Sequence, residues 1–102
     1  MSKYSAIELF RMSTMDEKRT IVSELFHAYK HLEEYDVNKS KRSVSLACGL
    51  WGNRVMEKIF VDKIEGGELK EAKEDLFRTS IYLLERLSPS KVVDDNGENP
   101  FD

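Results

Sequence analysis

Apolar residues fall at Ile21, Val22, Leu25, Phe26, Tyr29 and Leu32. Those steps of three and four gather them on one face of a helix, which the spacing predicts over 15–35. Its start is marked by Ser13 or Thr14, either of which can cap the first turn, and Thr14 with Glu17 fits a capping box. Asp16 and Glu17 suit the positive end of the helix dipole. In VNKSK the turn residues Asn38 and Ser40 predict a break. A second apolar series follows over 43–65. Val44, Ala47, Trp51, Val55 and Ile59 form one row, and Leu50, Met56, Phe60 and Ile64 widen it. Gly49 and Gly52 lie inside this run, each costing about 1 kcal/mol against Ala in a helix, so a bend or break is expected there. The β-branched residues leave a strand over 43–48 as an alternative.

Gly66-Gly67 closes the second run, because glycine takes the left-handed cap conformation without penalty. The third run spans 68–88. Leu69, Ala72, Leu76, Ile81, Leu83, Leu84 and Leu87 make a broad apolar face with Phe77 beside it, and Pro89 stops the helix. A short helix over 4–11 precedes all three. The pattern predicts an all-α fold, a small antiparallel three- to four-helix bundle over 1–88, with the short helix as fourth member or lid. A disordered, acidic C-terminal tail over 89–102 is expected to follow it.

Composition narrows the class. At 102 residues the chain is one domain. Its charged fraction is 34% but its net charge only -3, which argues against a dedicated nucleic-acid binder. The single cysteine, Cys48, excludes an internal disulfide and argues against a cysteine-based zinc site. A reducing, cytoplasmic setting fits best. No signal-peptide pattern opens the chain, and no run approaches the roughly 20 apolar residues of a membrane span.

Three constellations carry candidate chemistry. Glu24, His27 and His31 share a helical face at spacings that suit zinc or iron. A di-iron bundle needs Glu-x-x-His twice, however, and here it occurs once, so no metal or cofactor is expected. Around the second run, Ser45, Gly49 and Gly52 are small enough to admit another backbone, and Trp51 can lie across a neighbour. Cys48 sits among them, and a small buried hydrophobe is its expected role. Lys39, Lys41, Arg42, Arg54 and Lys58 form a basic set able to contact phosphates, the basis of an alternative reading as a nucleic-acid accessory protein. Glu33, Glu34, Glu71, Glu74 and Asp75 invite comparison with the all-α nucleotide pyrophosphohydrolases, whose motif spacing they do not reproduce.

The third constellation is the ending DDNGENPFD. Asp94, Asp95 and Glu98 precede Pro100 and Phe101, a stiff approach to an aromatic anchor. The ending resembles the acidic tips of bacterial single-stranded-DNA-binding proteins, which finish in acids and Pro-Phe and recruit repair and replication enzymes. Here Asp102 follows Phe101, and the strand pattern of their OB-fold is missing. Asn99-Pro100-Phe101 also resembles the tripeptide that EH domains bind.

No phosphate loop or nucleophile elbow is present. The sequence therefore points to a non-enzymatic protein that binds another protein as an adaptor, inhibitor or assembly factor. Compact, charge-rich regulators of this kind are common among phage and mobile-element proteins. Trp51, Phe60, Phe77, Pro100 and Phe101 are the candidate contact residues. The apolar load of the second and third helices exceeds what three helices can hide, so self-association, most simply as a two-fold dimer, is a further expectation. A metal-dependent enzyme on Glu24, His27 and His31 is the remaining alternative.

Overall fold

The computed structural model describes residues 4–87. They form five helices: α1 (Ala6–Met12), α2 (Met15–Glu33), α3 (Val37–Trp51), α4 (Arg54–Glu65) and α5 (Leu69–Glu85). No strand occurs among the described residues, so 43–48 is helical. The fold is all-α, as the apolar spacing indicates. The acidic tail expected over 89–102 lies outside the described residues.

Each boundary has a local cause. Ser5 and Thr14 begin α1 and α2 with full capping boxes. The Thr14 hydroxyl accepts from the Glu17 N–H at 3.1 Å, and the Glu17 carboxylate accepts from the Thr14 N–H at 2.9 Å. The break between α2 and α3 comes earlier than VNKSK suggests. Tyr35 takes a positive φ of 59°, and the Asp36 carboxylate accepts from the Lys39 N–H at 3.1 Å. Asp36 thereby caps α3, and Asn38 and Ser40 become its first turn. The Ser40 hydroxyl is fully buried and donates to the Ala28 carbonyl at 2.9 Å, tying α3 to α2.

The long second run is two helices. Gly52 ends α3 in the left-handed conformation, at φ 76°, and the Asn53 side chain caps α4 by accepting from the Met56 N–H. The reversal also resets the helical phase. The row that would join Val44, Ala47 and Trp51 to Val55 and Ile59 is interrupted. Val55 is 73% exposed, and Phe60 and Ile64 point inward instead.

α2 packs against α3 and α5, α3 against α4, and α4 against α5, which closes a ring of four helices. Neighbours run antiparallel. Ser45 donates to Glu57 and Lys41 pairs with Glu65 across α3 and α4, and Lys63 pairs with Asp75 across α4 and α5. α1 is tied to the end of this ring through Trp51, whose indole N–H donates to the Ala6 carbonyl at 2.9 Å, with Phe10 edge-on to the indole. The core is Phe10, Ile21, Leu25, Leu32, Val44, Trp51, Phe60, Ile64, Leu76 and Leu83, interleaved with Ala28, Ala47, Cys48 and Ala72.

The small residues around Gly49 leave room for another backbone to approach. Within the described chain, a Cβ added at Gly49 meets nothing within 4 Å. Gly49→Ala should therefore raise stability by about 0.5–1 kcal/mol through helix propensity. Gly52→Ala should lower it by more than that, because a Cβ is strained at positive φ. Urea midpoints of the two variants test this pair of opposite signs.

Candidate docking face

Trp51 and Phe60, two of the candidate contact residues, are 3% and 1% exposed. Both are spent on the protein's own core, because the turn at Gly52-Asn53 aims them inward, and neither offers a surface to a partner. Phe77 is different: it is 42% exposed on α5. Pro100 and Phe101 lie outside the described residues.

Phe77 does not stand alone. Its ring centroid is 5.3 Å from that of Tyr29 on α2, and Tyr29 is 5.7 Å from Phe26, which is 39% exposed. Ile81 and Leu84, one and two turns beyond Phe77, continue the apolar strip on the same side of α5. The inner row of α2 explains the geometry. Ile21, Leu25, Ala28 and Leu32 fill the core, and Phe26 and Tyr29 stand to one side, over the seam with α5. The Tyr29 hydroxyl donates to Glu33 at 2.9 Å, which fixes the ring and, with burial adding to the effect, raises its pKa. Beside the aromatics runs a shallow groove of about 280 Å³ lined by Tyr29, Glu33, Lys70, Lys73, Glu74 and Phe77. The residue spacing puts Phe26 and Tyr29 on the same apolar face as Ile21, Leu25 and Leu32 and does not separate them from the core row.

The basic set is mostly neutralised. Lys39 lies 3.8 Å from Asp36, Lys41 3.1 Å from Glu65, Lys58 3.1 Å from Asp62, and Arg54 pairs with Glu57. Only Arg42 of the five has no ion pair among the described residues. Glu57, held by Arg54 and Ser45, has its pKa lowered despite partial burial. These pairs are structural, since two of their carboxylates also join α3 to α4.

Glu24, His27 and His31 do not converge. His27 faces Glu24 at 3.8 Å, and His31 faces Glu34 at 3.9 Å, each imidazole serving its own helical turn. The shielded Nδ1 of His31 makes no hydrogen bond. Among the described residues no group of three or more His, Cys, Asp or Glu side chains is placed to hold a metal ion. No described helix is long and apolar enough to cross a membrane.

Comparison of the chain with protein-family models, curated proteins and solved structures finds no match. The chemistry of the surface itself must carry the functional reading.

Cys48 is fully buried, and burial, aided by Glu57 and opposed by Arg54, pushes its thiol up to about 12. The folded state holds the neutral thiol, so an unfolded chain loses this proton at lower pH. Stability should therefore be unaffected by this group below about pH 8.5 and fall as pH rises toward 12, by up to roughly 1.4 kcal/mol per unit. Urea melts across pH 8–11, compared with Cys48→Ala, isolate this slope. Native protein at pH 8 should resist thiol reagents that label the chain fully in urea.

Proposed function

We propose that this chain is a non-enzymatic binding module, acting as an adaptor, inhibitor or assembly factor, that docks another protein on the α2–α5 face. The observation that carries the reading is the contiguous row of exposed Phe26, half-buried Tyr29 and exposed Phe77, extended along α5 by Ile81 and Leu84. Scattered exposed apolar residues are normal on a soluble surface. Aromatics in mutual contact on a rigid two-helix seam are the type of surface on which a few residues supply most of the binding energy. The rings are held by packing and by the Tyr29–Glu33 hydrogen bond, so docking costs them little conformational entropy. The nucleic-acid reading has less support, because four of its five cations already face carboxylates.

Phe77→Ser should weaken capture of the partner from native lysate at least about tenfold, the effect of losing one anchor worth ~1.4 kcal/mol. Val55→Ser, a change at a more exposed apolar residue on α4, should leave capture intact. Both variants should retain the helical circular-dichroism signal. Equal capture by wild type and Phe77→Ser would move the site off this face. Capture that disappears with nuclease would favour the basic set Lys39, Lys41, Arg42, Arg54 and Lys58. Mass rising with concentration in the purified protein would make a second copy the occupant.

A further inference from the structure

The groove beside Phe77 is bordered by cations that have no ion pair among the described residues, a state shared elsewhere only by Arg11, Lys18 and Arg42 among the described cations. Lys30, Lys39, Lys41, Lys58, Lys63, Arg19, Arg54 and Arg86 each face a carboxylate. Lys70, Lys73 and Arg78, which bracket Phe77 on α5, have no ion pair among the described residues. Of the two acids in the groove, Glu33 is engaged by the Tyr29 hydroxyl and lies 3.9 Å from Lys30, and Glu74 has no ion pair among the described residues. A shallow slot with an aromatic wall of Tyr29 and Phe77, and with the unpaired Lys70 and Lys73 on its rim, fits a peptide that combines carboxylates with one aromatic anchor.

This chain carries such a peptide. Asp94, Asp95, Glu98 and Asp102 surround Pro100 and Phe101. We propose that residues 94–102 dock in cis on the α2–α5 groove, with Phe101 against Tyr29 and Phe77 and the acids toward Lys70, Lys73 and Arg78. The inference rests on reading this groove as a docking face. It makes the chain's own ending the groove's resident occupant, which an outside partner must displace.

Reach permits the contact. Phe101 lies 14 residues beyond Leu87, so the connecting chain spans up to about 46 Å when extended. Phe77 lies only roughly 15 Å back along α5 from Leu87, and Lys70 roughly 25 Å. A second shallow depression, lined by Arg78, Ile81, Tyr82 and Glu85, occupies the return path. Tethering also raises the local concentration of the peptide to the order of mM, so a contact too weak to form between separate molecules is populated within one.

The test uses the full chain, isotope-labelled, by NMR. Nuclear Overhauser effects between the Phe101 ring and the rings of Tyr29 and Phe77 are expected. Phe101→Ala should shift the amides of Lys70, Lys73 and Phe77, although they lie 24 or more residues away in sequence. Phe101→Trp should restore the ring contacts, and Lys70→Glu with Lys73→Glu should remove them while circular dichroism shows the helices intact. The contacts should also weaken at roughly 0.5 M salt, where charges act over only about 4 Å. Shift changes confined to the sequence neighbours of Phe101, with no ring contacts, overturn the proposal. Ring contacts that appear only between labelled and unlabelled molecules also overturn it, and assign the groove to the ending of a second copy. No outside partner enters this experiment. Its failure leaves the capture test on Phe77 standing, and failure of the capture test does not erase an observed ring contact.

Discussion

The chain reversal at Gly52-Asn53 governs the arrangement of everything after it. Gly52 can occupy φ 76° because it lacks a Cβ, and Asn53 supplies the acceptor that the first free N–H groups of α4 require. Without that reversal, residues 37–65 would make one rod of about 44 Å, far longer than α2 or α5. With it, α3 and α4 become antiparallel neighbours and the four helices close into a ring. The same turn leaves Trp51 at the end of α3, where its indole N–H reaches the Ala6 carbonyl and holds α1 in place. One two-residue turn therefore sets the bundle's topology, its helical phase and the attachment of its first helix.

The interior of that ring is lined in part by small side chains. Ala28, Ala47, Ala72, Ser40 and Ser80 are buried at contact positions. Small residues let helix axes approach, and close axes leave little interior volume for rings. Three of the large aromatics, Phe10, Trp51 and Phe60, fill that volume. Phe26, Tyr29 and Phe77 are left on the seam between α2 and α5. Phe26 and Phe77 are exposed there with Tyr29 half-buried between them, an aromatic surface supported from below by two helices.

Much of this was legible from residue spacing. The capping box at Thr14, the glycine stop at Gly66-Gly67 and the inner rows of α2 and α5 follow from helical periodicity and the chemistry of free backbone groups. The phase of α4 did not follow. A row through Val44, Trp51, Val55 and Ile59 is regular in sequence, and only the left-handed conformation of Gly52 shows that it is broken. The start of α3 was hidden for a related reason. Asn38 and Ser40 suit turns, but Asp36 caps the helix ahead of them, and a buried Ser40 hydroxyl finds the Ala28 carbonyl on α2. As for the candidate site, Phe77 could be picked out by its position beside the α5 face. Phe26 and Tyr29 could not, because the choice between core and seam depends on interaxial distance, which spacing along one helix does not encode.

The distribution of charge separates surface that serves the fold from surface left for other contacts. Most cations on α3 and α4 are neutralised within their own helix or across to its neighbour. Exposed pairs of this kind add little stability, since solvent screens them and holding long side chains costs entropy. Their larger effect is on specificity, because a surface already neutralised offers little net field to an approaching polyanion or acidic peptide. Along α5 the balance differs. Lys63 of α4 takes Asp75, while Lys70, Lys73 and Arg78 keep their charge beside exposed aromatic rings. Unspent charge and unspent apolar area therefore coincide at one seam. That coincidence sets the α2–α5 face apart from Val55 and Ile59 on α4, where exposed apolar area stands without a comparable row of rings.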